Sequence, residues 1–101
     1  MSLEDQFSAK LRTSIEVCHE LGYHPTRFTQ MVDSIGARAT AARLVVSGDM
    51  QTGFKELIAR GRPELTMESI MLQPEFASLF KAAELAAARW RLEQAGVQSA
   101  G

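Results

Sequence analysis

The chain has a single cysteine, Cys18, so it can form no intrachain disulfide. That excludes a disulfide scaffold and suits a reducing compartment. Net charge is nearly absent: eleven basic and twelve acidic residues leave a formal −1. A nonspecific polyanion binder carries a clear basic excess, and an acidic mimic of nucleic acid the reverse, so the balance argues against both. No apolar run approaches the ~20 residues that cross a bilayer. Period-two alternation is missing, as are Asn-Gly and Asp-Gly hairpin signals. Leu44-Val45-Val46 is the one β-leaning run, and its context is helical. No repeat, low-complexity linker or second domain is visible. The opening Met1-Ser2-Leu3-Glu4-Asp5-Gln6 lacks the basic start and apolar block of a secretion signal. A cytoplasmic, bacterial-type protein is the expectation.

What is present reads as helix. The 101 residues, 46% of them hydrophobic, suffice for one core without metal or disulfide. Ser2 is a good N-cap, and Leu3, Phe7, Leu11, Ile15, Cys18 and Leu21 recur at spacings of three and four. This predicts a first helix over about 3–21, ended by Gly22. Pro25 or Thr26 opens a second, carrying Phe28, Met31, Val32 and Ile35 and closed by Gly36. A third runs from Arg38 to Val46, its alanines suited to close approach. Asp49 or Thr52 caps a fourth, with Phe54, Leu57 and Ile58, stopped by Gly61. Pro63, Thr66 and Pro74 then give one barrier and two helix starts in quick succession. Leu65 and Ile70 occupy the two positions of a hydrophobic staple around Thr66. A last helix runs from about Ala82 to Ala95, ended by Gly96. The expectation is an all-α, compact bundle of five to six short helices with no sheet. Residues 1–96 form one domain, and 97–101 a disordered tail.

Candidate chemistry is sparse. His19-Glu20-Leu21-Gly22-Tyr23-His24 looks like a zinc-protease motif, but its histidines are five apart across a helix break. No further cysteine or histidine completes a zinc site, so no metal is expected. Cys18 lies on the apolar stripe of the first helix, as a buried small hydrophobe does; a catalytic thiol needs an exposed, electropositive setting with a base in reach. No Gly-rich phosphate loop and no paired carboxylates occur. The expectation is no enzyme, no catalytic residue, no cofactor and no small-molecule substrate.

Two binding readings remain. Phe28 to Arg43 has the outline of a helix-turn-helix, with Arg38, Thr40 and Arg43 on the second helix. That helix is mainly alanine, however, whereas base readout needs polar side chains on one face. Trp90 is the stronger candidate. Leu85, Ala88, Leu92 and Ala95 make the core stripe of the last helix, and Trp90 points about 140° away from Leu85 at ~100° per residue. It sits between Arg89 and Arg91, near Ala83, Ala86 and Ala87. Either another helix of the same chain covers this face or a partner does: tryptophan and arginine anchor interfaces, and small alanines suit close helix packing, including across a dimer. Arg60 and Arg62 flank Gly61, where cations complement a helix C-terminus; Arg62 is a charge the turn does not need.

A pattern joins these elements. Gly22-Tyr23-His24-Pro25-Thr26-Arg27-Phe28 with Met31, Gly53-Phe54 with Leu57, and Gly61-Arg62 before Leu65-Thr66 form its first part. Glu68, Leu72, Pro74-Glu75-Phe76, Leu79-Phe80, and Ala88-Arg89 with Leu92 complete it. It resembles a small all-helical bacterial domain without an assigned activity. The resemblance implies an accessory or interaction role and brings no reaction, ligand or catalytic residue. One departure is Lys81-Ala82-Ala83-Glu84, where the pattern implies a Ser/Thr-Pro helix start; the segments before and after Phe80 can then run together. The reading is a noncatalytic protein-interaction module, with a protein partner or a second copy as partner and no membrane. Its interaction residues are Trp90, Arg89, Arg91, Arg62 and Arg60. The alternative is nucleic-acid binding through Arg38, Thr40 and Arg43.

Overall fold

The computed structural model describes residues 2–47 and 52–97. Among these there are six α-helices and two short 3-10 segments, and no strand. The helices are α1 (Leu3–Glu20), α2 (Thr26–Ile35), α3 (Ala37–Val45), α4 (Thr52–Ala59), α5 (Met67–Met71) and α6 (Ala82–Gln94). The fold is all-α, as expected.

The stops and starts follow local chemistry. The Ser2 hydroxyl accepts from the Asp5 N–H at 3.1 Å, capping α1. Gly22 and Gly61 take φ of 83° and 72°, a left-handed conformation that side chains disfavour, and each follows a helix. Thr66 caps α5 by accepting from the Ser69 N–H at 3.2 Å, while its own hydroxyl donates to the Pro63 carbonyl at 2.7 Å. Thr52 is the first residue of α4 rather than its cap, and Asp49 lies outside the described residues.

The structure departs from expectation around the prolines. Pro63–Leu65, expected only as a barrier, is a 3-10 turn, and Pro74–Leu79, expected to start a helix, is a 3-10 segment and not an α-helix. The second is bounded by extended backbone at Gln73 and Phe80, which leaves little room for an i→i−4 ladder. The same extended Phe80 separates this segment from α6, so the two do not run together. Glu84 supplies the start that the Ser/Thr-Pro pair would have given: its carboxylate accepts from the Lys81 N–H at 2.8 Å. At the far end the Val97 N–H donates to the Leu92 carbonyl at 2.9 Å; the rest of the expected tail lies outside the described residues.

The core is built on α1. Phe7 and Leu11 are buried with Val32, Ala37, Ala41, Val45, Met71, Phe76 and Ala88 in one cluster. Phe7 meets Phe76 and Phe80 edge-on, with ring centroids 5.4 and 5.2 Å apart. The alanines of α3 do allow close approach: Ala37 and Ala41 are buried where α3 packs on α1 and α2. By contrast α4 packs chiefly on the Pro63–Leu65 turn. Its buried Phe54 and Leu57, with Ile15 and Cys18 of α1, stand outside the main cluster. A groove opens there.

Candidate functional site

Three regions carry the polar chemistry of this chain, and the first is internal. Glu68, in the first turn of α5, is 2% exposed, and Arg91 of α6 is 4% exposed. Arg91 Nη1 donates to Glu68 Oε2 at 3.0 Å. Its Nη2 donates to the carbonyls of Leu44 at 2.8 Å and Ser47 at 3.0 Å. The guanidinium fork thus satisfies carbonyls at the end of α3 and a carboxylate on α5 together. Burial pushes the Glu68 carboxyl above its ordinary value, while its hydrogen bonds to Arg91 and the backbone pull it down. Arg91, expected at the surface beside Trp90, is corrected by this placement: it lies on the buried stripe with Ala88 and Leu92 and joins α3, α5 and α6.

The second region is the outer face of α6. Trp90 is 57% exposed, beside exposed Arg89 and Ala86. Nothing among the described residues covers the indole as a core would. Val46, also 57% exposed, lies between the two residues whose carbonyls Arg91 holds. The same guanidinium therefore ties Val46 to the turn of α6 that presents Trp90. Arg60 and Arg62 belong elsewhere. Arg60 pairs with Glu56 at 2.9 Å, donates to the Leu21 carbonyl at 2.9 Å and lies over the Tyr23 ring. It fastens the end of α4 to the end of α1. Arg62 pairs with Glu64 at 2.7 Å, and this hydrogen bond holds the Glu64 carboxyl below its ordinary value. Neither shares a surface element with Trp90.

The hairpin of α2 and α3 does not gather its three candidates. Arg38 pairs with Glu4 of α1 at 2.6 Å, and Arg43 is exposed. Thr40 is corrected: it is fully buried, and its hydroxyl has no hydrogen-bond partner. It points into the core, where no base edge can reach it.

The third region is the groove between α1, α2, α4 and the start of α5. Its volume is about 910 Å³. Ile15, Cys18, Phe54 and Leu57 form much of its wall, and Tyr23, His24 and Arg27 also line it. Cys18 is 3% exposed, and burial pushes its thiol up against the opposing pull of Arg60 and Arg62. Burial likewise raises Tyr23. A thiol held protonated is a weak nucleophile, and among the described residues no base is hydrogen-bonded to it. The chain reversal at Gly22 brings the His19 and His24 rings to 4.7 Å, although five residues separate them in sequence. No group of three or more metal-ligating side chains occurs among the described residues.

Comparison adds no relative. No protein-family model matches this chain, and neither a curated protein nor a solved structure does.

Sequence reasoning missed the Glu68–Arg91 pair and the groove. A signal existed for the first: each charge falls on an apolar stripe, Glu68 among Met67, Ile70 and Met71, Arg91 among Ala88 and Leu92. A charge on a buried stripe needs a buried partner. The groove had no such signal, because it arises from where α4 rests.

Proposed function

We propose that this protein is a noncatalytic protein-interaction module whose contact surface is the outer face of α6, and that it uses this face to associate with a second copy. The observation that carries the reading is Trp90: a large aromatic 57% exposed on a helix of thirteen residues. Its backbone is held rigid from within by Arg91, so the indole is presented without ordering a loop. Arg89 beside it adds a cation free of any ion pair among the described residues. Tryptophan and arginine together are the usual anchors of an interface, and the neighbouring exposed alanines, Ala83 and Ala86, leave room for another helix to approach. With one cysteine and no disulfide, a reducing, cytoplasmic setting suits it. No helix among the described residues is long and apolar enough to cross a membrane.

Sedimentation over a wide concentration range tests the reading. The expected result is reversible association that Trp90→Ala weakens by about 2 kcal/mol or more, the size of an interface anchor. A chain that stays monomeric throughout, with Trp90 quenched by acrylamide equally in buffer and in host extract, removes it. The hairpin alternative has less support, since Arg38 is engaged by Glu4 and Thr40 is buried.

A further inference from the structure

We propose that the groove between α1, α2 and α4 binds a small molecule with a flexible alkyl body and a single anionic head, the head at Arg27. α6 contributes nothing to the groove's lining, so this site is separate from the Trp90 surface and goes beyond the interaction reading.

Size and shape come first. About 910 Å³ is at the upper end of the volumes that hold small ligands, and large for a chain of 101 residues. The walls are apolar by design of the sequence, not by accident of exposure. Ile15 and Cys18 continue the buried stripe of α1 past Leu11, and Phe54 and Leu57 are the apolar face of α4. These four are buried yet sit apart from the main cluster, so two apolar faces meet across a space that the side chains of the described residues do not fill. An apolar body placed there would complete contacts that water cannot make.

Three buried polar groups of the lining are already engaged. The Ser14 hydroxyl donates to the Leu65 carbonyl, the Thr66 hydroxyl donates to the Pro63 carbonyl, and Glu68 is held by Arg91. A ligand body rich in donors and acceptors would therefore find no partners on those groups, whereas an alkyl chain needs none. Met31 and Met67 line the groove, and their unbranched, adaptable side chains suit a flexible chain better than a rigid ring system.

The charge of the lining fixes the head. Arg27 is exposed on α2, lines the groove and makes no ion pair among the described residues. Exposed His24 lies nearby on the same lining. Among the described residues Glu68 is the only carboxylate in the lining, and Arg91 neutralises it from behind. An anionic head meets a cation at Arg27, while a cationic head meets repulsion.

The test uses the whole chain with ¹³C-methyl methionine, titrated below micelle formation with decanoate and, separately, with decyltrimethylammonium. Met31 and Met67 line the groove, whereas Met71 is fully buried in the main core and does not. Decanoate is expected to shift the Met31 and Met67 methyls and leave Met71 in place. Decyltrimethylammonium is expected to bind at least about tenfold more weakly, and Arg27→Glu to lower decanoate affinity by about tenfold or more. Arg27 is exposed, so the variant keeps the fold, and its far-UV circular dichroism confirms that. No shift with either compound, shifts spread equally over all methionines, equal affinity for both heads, or decanoate binding untouched by Arg27→Glu each overturns the proposal.

Discussion

A buried carboxylate and a buried guanidinium are each costly alone, and here each is the other's remedy. Glu68→Ala strands Arg91 in the interior, and Arg91→Ala strands Glu68. Each single change is expected to cost about 3–5 kcal/mol in urea denaturation, a large part of the ~5–15 kcal/mol that holds a domain. The double variant Glu68→Leu/Arg91→Met removes both charges and is expected to recover most of the loss. If the double variant is as unstable as the sum of the singles, the carbonyl contacts of Arg91 matter more than the pair. The pH dependence has a definite sign. Folding raises the Glu68 pKa above its ordinary 4.5, chiefly through burial. Its contribution is thus fully present below 4.5 and is lost as pH rises through the raised value. Relative to Glu68→Gln, the wild-type chain should lose stability over that rise. Thr40 is the opposite case, a buried hydroxyl with no partner. Thr40→Val keeps the shape and removes the unsatisfied group, and is expected to raise stability by about 1–2 kcal/mol.

At the scale of elements, α5 shows how much a cap can do. Five residues cannot hold a helix by their own backbone bonds. Thr66 supplies one end, and Ser69 reinforces it: its hydroxyl bonds the same Pro63 carbonyl that Thr66 uses, at 2.7 Å. Thr66→Ala is expected to cost about 1–2 kcal/mol, with Thr66→Ser retaining most of the cap. Comparing their thermal midpoints decides it. These punctuating residues are the part of the fold most legible in the sequence. Ser2, Gly22, Gly36, Gly61 and Thr66 mark helix ends because their chemistry is local, and no distant contact is needed to interpret them. The 3-10 character of Pro63–Leu65 and Pro74–Leu79 was not legible, since proline fixes φ but not whether the next bond closes three or four residues back. The start of α6 at Ala82 was legible, but its cap was not: Glu84 accepts from the Lys81 N–H in place of a capping hydroxyl.

On the scale of the whole molecule, the radius of gyration is 12.4 Å, close to the ~13 Å of a compact domain of about 100 residues. The groove therefore sits within an otherwise closed fold. It could not be foreseen from periodicity, because Phe54 and Leu57 show the same apolar spacing whether α4 seals against α1 or stands away from it. Trp90 is different: its angle set it off the core stripe of α6 and left open whether another helix of the chain covers it, and its exposure answers that. That exposure makes the single tryptophan a poor reporter of folding in the isolated monomer. Unfolding is expected to change its emission maximum little, while ellipticity at 222 nm falls in one cooperative step. A clear red shift on unfolding at low concentration would mean that the indole is sheltered within one chain.

The joint made by Arg91 also has an order in time. Glu68 is synthesised 23 residues before the cation that neutralises it. At ~5–20 residues per second, a ribosome takes about 1–5 s to cross that interval. Until then the nascent chain holds a carboxylate bound for the interior with no counterion, and the end of α3 has no clasp. The clasp that joins α3 and α5 to α6 is complete only once α6 has been made.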